Sequence, residues 1–115
     1  MIRRPVKRHA DFEADYVAQL EWLVQHGERA WILELGRGVR SVGRLLAAFP
    51  FAGPVVARRG TIELRKLLFP RGPYLAWYTV DASRPRSEVW LLRLFHARQR
   101  RPKPDPRRWL PRSPR

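Results

Sequence analysis

Gly60-Thr-Ile-Glu-Leu-Arg-Lys-Leu-Leu-Phe69, Pro70-Arg-Gly-Pro73, Tyr74-Leu-Ala-Trp-Tyr-Thr-Val-Asp81 and, after a polar break, Glu88-Val-Trp-Leu-Leu-Arg-Leu-Phe-His-Ala-Arg98 decide how this chain folds. Three apolar runs of strand length, rich in aromatic and branched residues and parted by Pro/Gly or Ser/Arg/Pro turns, predict a three-strand antiparallel meander. Apolar residues fall on both alternating sets. Tyr74, Ala76, Tyr78 and Val80 form one face of the middle strand, and Leu75 and Trp77 much of the other. A sheet that is apolar on two sides needs cover on two sides. Arg65, Arg93 and His96 interrupt the apolar runs. An unpaired guanidinium is costly to bury, so these charges are expected to line an exposed, used face.

Working outward, Phe12, Tyr16, Leu20 and Leu23 recur at helical spacing. Asp11 is the expected N-cap, Asp11, Glu13 and Asp15 an acidic first turn, and Gly27 the stop. A second helix is predicted from about Glu28 to Phe49-Pro50, with Trp31, Leu35, Val39, Val42 and Leu46 as its buried stripe. Arg37, Arg40 and Arg44 run along another side. Gly36, Gly38 and Gly43 inside this helix match no phosphate-binding fingerprint and read as close packing or tolerance. The short link between the helices predicts an antiparallel hairpin. Pro50 to Gly60 reads as a loop, and Ile2 to Arg8 as a short first strand that Pro5 confines to an edge. The predicted order is β-α-α-β-β-β: an α+β fold with a helical hairpin on one face of a small, mostly antiparallel sheet. There is helix enough to cover one face.

The chain has 115 residues, enough for one domain with a modest core, and no cysteine, which removes disulfides and cysteine-ligated zinc. No metal or cofactor site is expected. No apolar run approaches the roughly 20 residues of a membrane span, and Met1 to Ala10 lacks a signal-peptide core, so a cytoplasmic protein is expected. Lys and Arg number 24 against 10 Asp and Glu, a formal charge of +14. Such a surface attracts polyanions: nucleic acid, ribosomes or an acidic protein. Residues 100–115 hold five prolines, seven basic residues and one acid, and are expected to be a disordered basic tail outside the domain of residues 1–99. Trp109-Leu110 within it could dock on the domain or a partner.

The chain resembles the RelE/ParE superfamily of toxins from type II toxin–antitoxin systems across roughly residues 2 to 99. The residues that carry this are Ala10-Asp-Phe-Glu-Ala-Asp-Tyr16, Leu45-Leu-Ala-Ala-Phe-Pro50 with Gly53, Ile62-Glu-Leu-Arg-Lys-Leu67 after Gly60, Pro73-Tyr74, Tyr78-Thr-Val-Asp81, and Leu91-Leu-Arg-Leu-Phe-His-Ala-Arg-Gln99. The resemblance implies a growth-arresting toxin neutralised by an acidic cognate antitoxin that wraps the sheet and helices and forms a hetero-oligomer with it. It implies partner contacts at Arg65, Tyr78, Arg93, His96 and Arg98, and a target that is either DNA gyrase or the ribosome.

In the ribosome-dependent nuclease branch, Arg65 and Arg93 would stabilise a phosphorane and His96 would act as general acid or base. That branch often carries a tyrosine after the last strand, and none follows Tyr78 here. The Tyr74–Asp81 strand and the His96-Ala-Arg-Gln99 ending resemble the ParE branch, whose members bind gyrase without hydrolytic chemistry. Plainer roles stand beside these. Arg65 could pair with Glu63 or an antitoxin carboxylate, His96 could be a hydrogen-bonded strand end, and the Arg37, Arg40, Arg44 stripe a solvated face. His9 and His26 carry no assignment. A basic nucleic-acid-binding module is the alternative from another class; Trp77, Trp90 and Tyr78, which could stack on bases, read better as core.

Overall fold

The computed structural model describes residues 3–104. The elements run β1 (Val6–Arg8), α1 (Ala10–Gln25), α2 (Arg29–Ala48), β2 (Val55–Arg59), β3 (Ile62–Leu68), β4 (Tyr74–Asp81) and β5 (Val89–His96). One five-stranded sheet has the order β1-β5-β4-β3-β2. β2 to β5 pair antiparallel, and β1 lies parallel to β5 with Val6 opposite Val89. The α+β hairpin-on-sheet architecture and the meander are as predicted.

Both helices pack on one face. Phe12, Leu23, Leu35, Val39, Val42 and Leu46 meet Tyr74, Ala76, Tyr78, Val80, Leu91 and Leu94 in one buried cluster. Phe12 and Leu46 have no accessible surface, and each such side chain contributes roughly 1.5–3 kcal/mol by leaving water. The stripes anticipated on the helices therefore face the sheet, except that Trp31 stands 37% exposed at the rim.

Four expectations need correction. Residues 50–60 are not simply a loop: Val55–Arg59 pairs with β3. Arg59 lies opposite Ile62 across Gly60-Thr61, with Gly60 at φ 60°. A glycine in the first position of a two-residue hairpin turn supplies the backbone twist that joins such strands. Second, the N-cap of α1 is His9, not Asp11. His9 is extended, and its Nδ1 accepts from the Asp11 amide at 3.0 Å, which leaves Asp11 inside the first turn. Gly27, at φ 68°, follows the helix as expected. Third, Trp90 is 37% exposed rather than core.

The fourth concerns the sheet's other face. Leu64, Leu75, Trp77, Leu92 and Phe95 form a second buried cluster there, with Leu64 and Phe95 at zero exposure. Trp77 meets Phe95 edge-on at 5.0 Å, and the Arg93 guanidinium lies 5.0 Å above the Phe95 ring. The anticipated bare, charged face is thus reduced to a rim. By register, Lys66, Leu68 and Trp90 remain exposed around the covered centre. The proposed docking of Trp109-Leu110, and most of the basic tail, lie outside the described residues.

Candidate functional site

Arg65 sits on β3 opposite Tyr78. Strand alternation puts Glu63 on the same side as Arg65, two residues away. The Arg65 Nε and Nη2 donate to Glu63 Oε1 at 3.1 and 2.9 Å, while Nη1 donates to the carbonyls of Phe51 and Gly53. Arg58 Nε donates to the second Glu63 oxygen at 3.1 Å. Burial pushes the Glu63 carboxyl up, but hydrogen bonds from Arg65 and Arg58 outweigh it and hold the group below its ordinary range. The Gly53 amide in turn donates to the Tyr78 hydroxyl at 3.0 Å. Gly53 must be glycine, because a Cβ there would run into the backbone carbonyl of Lys66. These contacts clamp the 51–53 crossing segment onto the sheet. Arg65 and Tyr78 are both spent on that clamp, and Tyr78 has no accessible surface.

Arg93 is equally engaged. Its Nε and Nη2 donate to the two carboxylate oxygens of Asp15 at 2.7 and 3.2 Å. The hydrogen bond from Arg93 to Asp15 raises the guanidinium's already high pKa further. The Leu94 amide donates to the same carboxylate at 2.9 Å. β1 covers the edge of β5 only from Val89 to Leu91, so beyond Leu91 Asp15 of α1 satisfies a backbone donor that a strand would otherwise take. His96 ends β5: its Nδ1 accepts from the Arg98 amide at 3.2 Å, and its ring stands edge-on to Tyr74 at 5.6 Å.

The three groups a nuclease would need are not brought together. Arg65 and His96 are two strands and four register steps apart, about 16 Å by strand spacing and rise. Arg93 points to α1 instead. Two of the anticipated partner-binding residues do converge. His96 and Arg98 line a groove of about 600 Å³ together with Ala18, Gln19, Trp22 and Gln99. Trp22 is 51% exposed and stacks on the His26 ring at 3.9 Å, and Gln19 Nε2 donates to Gln99 Oε1 at 3.3 Å. This groove, which brings an exposed tryptophan together with a histidine and an arginine, is the candidate partner site.

Among solved structures, the chain is similar to a chain of the chromosomal ParDE TA system from P. aeruginosa, at 19% identity and a TM-score of 0.61. The match covers 84% of this chain and 98% of that one. This is a ParE-like fold. The expected RelE/ParE architecture is therefore present. No protein-family model matches the sequence, and no curated protein matches it significantly.

Within this ParE-like fold, sequence reasoning found the interior arginines but missed the carboxylate that holds Arg93. The plainer role weighed for Arg65, a pair with Glu63, is the one observed. In the sequence Asp15 is one more charge in the first turn of a helix, and nothing local ties it to Arg93, 78 positions away. Trp22 carried a weak signal. It falls off the Phe12, Tyr16, Leu20, Leu23 stripe, and a tryptophan on the solvent side of a helix asks for a partner.

Proposed function

We propose that this chain is the toxin of a type II toxin–antitoxin module, that it acts in the cytoplasm by binding DNA gyrase, and that an acidic cognate antitoxin neutralises it. The observation that carries this reading is the ParE-like fold over most of the chain. The fate of the interior cations supports the gyrase branch over ribosome-dependent RNA cleavage. Arg65 and Arg93 are each held by a carboxylate, and His96 stands about 16 Å from Arg65 by strand geometry. A phosphorane stabiliser must aim its donors at the reacting oxygens, and these donors are aimed into the fold. The groove of Trp22, His96 and Arg98 offers an aromatic and a guanidinium, the side-chain types that dominate binding energy at protein interfaces.

Induced expression in a bacterium tests this with two readouts. The expected result is growth arrest with relaxed plasmid and inhibited supercoiling by purified gyrase, without ribosome-associated mRNA cleavage. Co-expression of a neighbouring acidic protein should restore growth. Arrest with normal supercoiling and fresh mRNA ends that vanish in His96→Ala would replace the gyrase reading by the nuclease one.

A further inference from the structure

On the side of the molecule formed by β1 and α2, a cleft of about 350 Å³ is lined by Arg3, Arg8, Arg40 and Arg44 over an apolar floor that includes Val39 and Leu91. Arg3 comes from the segment before β1, Arg8 from the end of β1, and Arg40 and Arg44 from successive turns of α2, and the Arg4 amide, donating to the Ala47 carbonyl at 2.9 Å, fixes that segment beside the helix. No carboxylate lines the cleft. Among the described residues, Arg8 alone of the four has an ion-pair partner, Glu13 at 3.3 Å on an exposed edge. Arg37 on the same helix is paired with Glu34, whereas Arg40 and Arg44 face the cleft.

Arg40 and Arg44 are four apart on one helix face, where like charges repel, and Arg3 and Arg8 add to that repulsion. An anion seated between them would relieve it. A guanidinium fork matches phosphate oxygens two at a time. An acidic peptide carries one charge per carboxylate and would need several crowded into this small volume, whereas a polyphosphate concentrates its charge. Gly43 sits in the lining with open space where its side chain would be, which keeps the floor clear.

We propose that this cleft binds a polyphosphate group, either a free polyphosphate or nucleotide or the 5′-triphosphate end of an RNA. The inference does not depend on the toxin reading. Calorimetric titration of the full chain with sodium triphosphate, against sulfate at equal ionic strength, is expected to give one site per chain. Arg40→Gln with Arg44→Gln should weaken it about tenfold or more, as charge-assisted contacts of this kind predict. Gly43→Glu should abolish it in a chain that stays folded by circular dichroism, since a carboxylate then occupies the floor and glycine is a poor helix former. Arg37→Gln should leave it unchanged. Preference for a 5′-triphosphate over a 5′-hydroxyl oligonucleotide would identify an RNA end as the source, and equal affinity with free triphosphate a small molecule. No saturable site, tighter binding of a poly-glutamate peptide, or equal weakening by Arg37→Gln would overturn the proposal.

Discussion

Arg65 and Arg40 carry the same guanidinium in opposite circumstances. Arg65 lies 14% exposed against a carboxylate and two carbonyls; Arg40 lies in an open cleft with three more cations. Arg65 and Arg93 therefore belong to the architecture, while Arg3, Arg40 and Arg44 are available to bind. A net charge of +14 does not say which cations are free. Their carboxylate partners do.

Breaking the clamp should show the largest effect. Gly53→Ala forces a methyl against the Lys66 carbonyl and is expected to cost about 3 kcal/mol, by analogy with overpacking, read as a lower denaturation midpoint. Glu63→Ala should cost about 2–3 kcal/mol by leaving Arg65 without its carboxylate. The double variant Glu63→Leu, Arg65→Met should recover much of that loss, since replacing both partners removes the orphaned charge. Full additivity of the two single changes would show that the pair is not coupled.

Acid should reproduce part of the Glu63 effect reversibly. The folded-state pKa of Glu63 lies below its ordinary value of 4.5. Its contribution is therefore present above pH 4.5 and fades as pH falls from there through the depressed folded value. Denaturant titrations at descending pH should show this loss in the native chain and a shallower one in Glu63→Gln. Asp81, lowered by its hydrogen bond from Ser83, adds to the slope with the same sign.

Asp15→Ala should be milder, about 1–2 kcal/mol, because Arg93 is 28% exposed and water screens part of the pair. The exposed edge of β5 at Leu94 should then exchange its amide hydrogen faster. Smallest of all, Arg40→Gln should change stability by no more than about 0.5 kcal/mol, in the stabilising direction, since it removes like-charge repulsion. A marked loss would mean that Arg40 has a structural role after all.

Much of the fold could be read directly. Phe12, Tyr16, Leu20 and Leu23 report a helix because their spacing follows its period, and Tyr74 to Asp81 reports a strand because its neighbours do the same. β2 was harder to see. Its five residues end in Arg58-Arg59 and follow a segment crowded with prolines, so little periodicity survives; only the Gly60-Thr61 hairpin turn betrays it. His9 is hard to recognise as a cap because histidine is an uncommon one, and its role depends on ring orientation.

For the candidate site, His96 and Arg98 were legible as a strand ending, whereas Trp22 and Gln19 joined them only when α1 settled beside β5. The same holds for the covered face. Alternation placed Leu75 and Trp77 away from the helices, but whether Trp77 meets water or Phe95 depends on packing.

By itself the sequence determined the period of the two helices and of β3, β4 and β5, the sign of the surface and the absence of cysteine chemistry, because these follow from residue type and short-range spacing. Tertiary structure alone decided which charges are spent. An ion pair forms between groups that the fold brings within about 4 Å, and neither the 78 positions between Asp15 and Arg93 nor the gathering of Arg3, Arg8, Arg40 and Arg44 around one cleft is encoded in any local pattern.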